Sequence, residues 1–317
     1  MASKDGKKGF SRNKLQPYYI IIAVIIVLLV IILIIMKAAD TEAVVTETEV
    51  DTSTGTIVPQ SDSGIVKPED DDTAPVDVDG STVDTIDKKP SLVFVIDDVG
   101  NSIEQLKPFL ELPFSITFAI MPDRRYTTQC ASLITSAGKE YILHQPMEPI
   151  GGQNPGESAI YTDMSEDEID KILSHNFAQL PAARGMNNHM GSAATSDFEV
   201  MTSVMKFLKP KSFYYFDSYT IAGSVALEAA NETNVLCLKR NSMFLDNEDD
   251  RTSIINAIEE GTKTASKKGH AVMIGHVMTK ELAEIMMQLY PDFIEDGFSL
   301  KDISELFLEM NSPILED

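Results

Sequence analysis

Tryptophan is absent from the 317 residues, and only two cysteines occur, Cys130 and Cys237. Two cysteines cannot staple a chain of this length, which excludes a disulfide-dense scaffold. Bases are scarce as well: 26 Lys and Arg stand against 49 Asp and Glu, for a formal net charge of -23. They are unevenly spread, with five bases against one acid in residues 1–17, three against 14 in residues 38–89, and 17 against 34 in residues 90–317. A domain of that sign repels a phosphate backbone, so no nucleic-acid partner is expected, and neutral or amine-bearing substrates fit better than polyanions. A glycine-rich phosphate loop is also missing. After the first strand-like run the chain reads Ile96-Asp97-Asp98-Val99-Gly100, which removes the main support for a dinucleotide-binding sheet.

Long apolar runs are absent too, with one exception. Residues 18–36 carry no charge over nineteen positions, about 28 Å as a helix, close to the hydrocarbon thickness of a bilayer. The sequence therefore predicts a transmembrane helix over 18–36. The basic tail, residues 1–17, stays cytoplasmic by the positive-inside rule, and everything beyond Lys37 is sent across the membrane. The expected location is the cell membrane, single-pass, with the main domain periplasmic or otherwise extracytoplasmic. A cleaved signal peptide fits less well, because its apolar core spans only roughly 7–15 residues. Residues 37–89, rich in Asp, Glu, Thr, Ser, Val and Pro, read as a disordered acidic linker.

From residue 90 to 317 the pattern changes. Short β-rich runs lie at 92–96, 115–120, 140–144, 183–187, 213–217, 234–239, 271–275 and, more weakly, 298–303. Helical stretches alternate with them at 101–111, 125–137, 165–180, 197–209, 223–231, 249–268 and 278–289; Ser165 with Glu168 three residues on forms a capping box. Strands separated by single helices pair in parallel through right-handed crossovers. Seven or eight such units predict an α/β fold, a distorted (β/α)7–8 barrel.

In such a barrel, functional groups gather at the C-terminal strand ends. Asp97 and Asp98 end the first run, His144 the third, Asn187, Asn188 and His189 the fourth, Asp217 the fifth, Arg240 the sixth and His276 the seventh. His175 and His270 fall elsewhere and read as structural or surface residues. An Asp after a strand is often only a turn former. Two adjacent carboxylates leaving an apolar strand, however, are costly to bury unless a cation or proton separates them, and imidazoles at the same rim supply nitrogen ligands. The pattern points to a metal site of the Asp-His-His type.

The strings VFVIDDVG (93–100), FAIMP (118–122), ILHQPMEP (142–149), MNNHMGS (186–192), YFDS (215–218), MFLDNE (243–248) and MIGH (273–276) resemble the divergent polysaccharide deacetylase family, in order and over about Ser91 to Leu306. The resemblance implies a barrel of the glycoside hydrolase/deacetylase type with a divalent metal, zinc being the expected ion. It implies Asp97 as general base, Asp98 as ligand and His276 as general acid. The family's HxxxH ligand pair is altered here, because Glu148 stands four residues after His144. His144 and His189 are then the imidazole ligands expected beside Asp98. Asn188, Asp217, Arg240, Asp246 and Glu148 are expected in supporting or substrate-binding roles: Asp217 orienting His276 or binding sugar, Arg240 pairing with Asp97, and Asp246 lining the cleft. The implied activity is that of a membrane-anchored, metal-dependent deacetylase removing N- or O-acetyl groups from a cell-wall or envelope glycan, with an acetylated polysaccharide or peptidoglycan fragment as partner. The competing reading is an inactive glycan- or cell-wall-binding protein that retains the metal pocket.

Overall fold

The computed structural model describes residues 89–311. The basic tail, the apolar run over 18–36 and the acidic linker up to residue 88 lie outside the described residues. Among the described residues, no helix is long and apolar enough to cross a membrane.

Eight parallel strands alternate with helices: β1 (Ser91–Val99), α1 (Ile103–Leu110), β2 (Thr117–Ile120), α2 (Thr127–Ser136), β3 (Glu140–Met147), α3 (Glu166–Ala178), β4 (Gly185–Met190), α4 (Phe198–Leu208), β5 (Tyr214–Asp217), α5 (Ala226–Thr233), β6 (Cys237–Lys239), α6 (Arg251–Lys268), β7 (His270–His276), α7 (Leu282–Glu295), β8 (Ser299–Lys301) and α8 (Ile303–Asn311). Local chemistry sets their limits. The Ser165–Glu168 capping box opens α3, and α3 buries Ile169, Leu173 and Phe177 at helical spacing. Asp250 caps α6, and Gly269, in the left-handed region at φ 82°, ends it.

The strand order is β6-β5-β4-β3-β2-β1-β7, a curled parallel sheet of the (β/α) barrel kind. The expected eighth stave is not separate. β8 pairs with the start of β1 at Ser91–Val93, on the same edge where β2 pairs further along from Val95. The seam between β6 and β7 is closed by the chain that follows β6 rather than by a full ladder. Leu245 N donates to Ile274 O (2.8 Å), Val272 N donates to Asn241 Oδ1 (2.8 Å) and Ser242 Oγ to Val272 O (3.0 Å).

Strand alternation divides the apolar residues into two layers. Leu92, Phe94, Ile96, Phe118, Tyr141, Leu143 and Met273 belong to the large layer packed with the helices. Val93, Val95, Ala119, Ile142, Tyr214, Phe216, Val272 and Ile274 form a smaller cluster inside the barrel, joined by Ile303, Leu306 and Phe307 of α8. That helix, which the sequence reading left out, plugs the N-terminal end of the barrel with an i, i+3, i+4 apolar face. Both cysteines are free, Cys130 buried in α2 and Cys237 half-buried in β6.

Candidate metal centre

The inward parity that places Val93, Val95, Ile142, Val272 and Ile274 inside the barrel continues to the strand ends, where Asp97, His144 and His276 come next. Register brings these ends level: Asp97 pairs with His276, His144 with Asn187 and Pro146 with His189. Simple alternation would send Asp98 away from Asp97, to the helix side. A bulge prevents this. The pairing of β1 with β2 shifts between Ile96 and Val99, and Asp98 adopts φ 63°, a left-handed conformation that Asp tolerates better than most residues. Both carboxylates therefore arrive at one mouth.

Asp98 Oδ1 lies 3.3 Å from His144 Nε2 and 3.0 Å from His189 Nδ1, and the two ring nitrogens are 3.2 Å apart. The oxygen is buried without a hydrogen bond of normal geometry. Among the described residues this is the group of acidic, His and Cys side chains arranged to hold a metal ion. Tetrahedral ligands at about 2.0 Å from zinc stand roughly 3.3 Å from one another, so the observed triangle has the dimensions of one ligand face. One carboxylate oxygen and two imidazole nitrogens are Lewis bases suited to zinc or a similar divalent ion. Burial acts to raise the Asp98 pKa, but the two adjoining imidazoles hold the carboxyl well below the usual carboxylate range, so it is ionised at neutral pH.

Asp97, 2% exposed, sits beside this triangle, its Oδ2 3.7 Å from His144 Nε2. Burial lifts its pKa, with Asp98 adding to the rise and the charges of His144 and His276 opposing it. Across the mouth, His276 Nδ1 and its backbone N both meet Asp246, at 2.9 and 2.8 Å, and Thr279 Oγ1 donates to the same carboxylate at 2.6 Å. Burial acts to lower the His276 pKa, but the hydrogen bond and charge of Asp246, aided by Asp97 and Asp98, raise it to about 9. Phe244 stacks on the His276 ring at 5.7 Å, and the Arg240 guanidinium lies 4.0 Å from the Phe244 ring centroid.

The expected supporting residues make the following contacts. Asp217 accepts from Tyr219 N (2.8 Å) and Ser224 Oγ (2.7 Å), closing its own loop. The carboxylate on His276 is Asp246 instead. Arg240 donates to the carbonyls of Ser218, Tyr219 and Ser242 rather than forming an ion pair with Asp97. Glu148 Oε2 accepts from Thr162 N and Oγ1, both at 2.7 Å, and so holds a loop. Asn188 faces away from the triangle, accepting from Tyr215 OH and Ser218 N and donating to Met190 O. Its neighbour Asn187 is the amide that reaches His144 and Asp97. Sequence reasoning noted Asn187 only as a strand-end residue. The signal available was parity: if His189 points inward, position 187 does and 188 does not.

The sequence model for the family described as "Divergent polysaccharide deacetylase" matches residues 94–307. The chain is 32% identical over 204 residues to the "Uncharacterized protein YibQ" of Escherichia coli, a match covering 63% of this chain and 64% of that one. It is also 32% identical over 198 residues to an uncharacterized Haemophilus influenzae protein, covering 62% of this chain and 70% of the other. The fold resembles the crystal structure of an uncharacterized Agrobacterium tumefaciens protein, with a TM-score of 0.65 at 18% identity over 69% of this chain and 89% of that one. Matched from the first strand to the closing helix, the chain belongs to the divergent polysaccharide deacetylase family.

Proposed function

We propose that the chain is a metal-dependent carbohydrate deacetylase that removes acetyl groups from an envelope glycan, its divalent ion, zinc, held by Asp98, His144 and His189. The observation that carries this reading is the triangle of Lewis bases with 3.0–3.3 Å edges beside a buried carboxylate and an acid-supported histidine. A divalent ion supplies Lewis acidity toward an acyl carbonyl and toward water. The chain supplies the proton handling. Asp97 Oδ1 is engaged by Asn187, which leaves Oδ2 to take a proton from the attacking water. His276 Nδ1 is engaged by Asp246, which leaves Nε2 to protonate the departing amine or alkoxide. An amine leaves poorly unless protonated, so the raised His276 pKa suits the acid role at neutral pH. The apolar run over 18–36 and the basic tail before it support an anchor in the cell membrane with the barrel outside the cytoplasm.

The test is acetate release by the detergent-solubilised full-length chain from N- and O-acetylated oligosaccharides and peptidoglycan fragments, with bound metal measured in parallel. Release that is abolished by chelation and restored by zinc is the expected result. Bound zinc and glycan with no release would replace this reading with that of a binding protein.

A further inference from the structure

Asn187 is fully buried at the level of the metal triangle. Its amide touches three groups: His144 Nδ1 lies 2.7 Å from Oδ1, while Nδ2 lies 3.0 Å from Asp97 Oδ1 and 3.1 Å from Ser218 Oγ. The neighbours fix which end is oxygen. Ser218 Oγ donates its one proton to the Asn188 carbonyl at 2.9 Å, so toward Asn187 it can only accept. That contact requires the NH2 end, which also reaches Asp97 Oδ1, and the amide oxygen therefore faces His144. Opposite an acceptor, His144 Nδ1 must carry a hydrogen. The Nε2 lone pair is then directed at Asp98 and His189, where a metal would sit.

We infer that Asn187 is a positioning residue that sets two roles through one amide: its oxygen makes His144 an Nε2 ligand, and its NH2 group holds Asp97 Oδ1 so that Oδ2 is the basic atom. Ser218, pinned by the Asn188 carbonyl, locks the amide against rotation by 180°. This inference deepens the proposed function and rests on its metal centre. A buried filler would also be satisfied by these hydrogen bonds, but a filler would not treat its two ends differently.

The two ends are separated by two substitutions in the full-length protein, using zinc or cobalt(II) alone as the probe for binding. Asn187→Asp keeps an acceptor for His144 and places an oxygen against Asp97. Metal affinity should be unchanged or tighter, whereas kcat falls by about 100-fold or more with KM little altered. Asn187→Ala removes both contacts, and metal affinity should also fall by about 10–100-fold. Imidazole 15N spectra of the zinc-loaded wild type should show His144 protonated at Nδ1 and ligated through Nε2. Equal loss of metal in both variants, unchanged affinity in the alanine variant, or ligation through Nδ1 would each overturn the role of Asn187. If the alanine variant does not fold, the affinity of the Asp variant and the wild-type spectrum still decide. Absence of zinc binding by the wild type would remove the metal centre and this inference together. Zinc binding without acetate release would count against the deacetylase reading alone, because the affinity split and the spectrum require no substrate.

Discussion

The two ends of the barrel both hold acidic groups wholly or partly out of water, and they do so in opposite ways. At the N-terminal end, Glu140 Oε1 accepts from Thr117 Oγ1 and Tyr214 OH, each at 2.8 Å, and Oε2 accepts from the Ser304 hydroxyl. These partners are proton donors. At the C-terminal end, Asp98 Oδ1 lies 3.3 and 3.0 Å from two imidazole nitrogens and is buried without a hydrogen bond of normal geometry. The comparison teaches that burial alone does not mark a functional acid. A carboxylate among hydroxyls is satisfied and structural, whereas a carboxylate among Lewis bases is completed by a cation.

The largest effects expected are those that break the C-terminal triangle. Asp98→Asn keeps a residue that tolerates the left-handed backbone but removes the charge. With His144→Ala and His189→Ala, it should lower zinc affinity by more than about 100-fold, beyond the loss of any outer partner, as measured by competition with a chromogenic chelator. Glu140→Gln should leave zinc affinity untouched. Next comes Asp246→Asn, which should keep zinc but reduce acetate release by about 100-fold or more. His276 must be protonated to act as an acid, so activity is present below its pKa and lost above it. Removing the Asp246 charge lowers that pKa from about 9, so the alkaline limb of the pH-rate profile should move to lower pH in the variant.

At the N-terminal end the expected effects are on stability. Glu140→Ala leaves buried hydroxyls without an acceptor and should cost about 1–3 kcal/mol in urea unfolding, with zinc affinity unchanged. The smallest effect sharpens the contrast in the other direction. Burial and the charge of Glu140 raise the Asp302 pKa to about 7. A carboxyl raised in the folded state destabilises it increasingly as pH climbs from about 4 toward 7, because the folded state holds its proton longer. Asp302→Asn removes this cost and can keep the cap that Asp302 Oδ1 forms with Glu305 N (2.8 Å). The variant should melt a few degrees higher than wild type at pH 8, a difference that vanishes near pH 4. An equal gain at both pH values would mean that charge is not the cause.

Much of the fold was legible because it is local. Strand runs such as 271–275 and the capped helix after Ser165 announce themselves by period and by caps, and their limits shifted by only a few residues. Helix α8 was missed because its apolar face, Ile303, Leu306 and Phe307, is short and follows a weak strand; only the open end of the barrel explains it. The candidate site was legible as a rim, because Asp97, Asp98, His189 and His276 lie at or near strand ends; His144, expected to end its strand, sits three residues before the end of β3. The partners within the rim were not. Asp246 and Asp217 look alike in sequence, yet one lies against His276 and the other turns back on its own loop. Arg240 is likewise held by carbonyls that no local pattern foretells.

The chain by itself determined the alternation of elements, the parallel sheet, and which polar residues stand at strand ends, since these follow from hydrophobic period and turn chemistry. Only the tertiary structure decided which of them meet. A one-residue bulge with Asp98 at φ 63° turned a second carboxylate inward, and register across β3, β4 and β5 chose Asn187 over Asn188. Side-chain direction in a sheet reverses with every residue, so contacts between strands depend on pairing offsets that are set by the closure of the whole barrel.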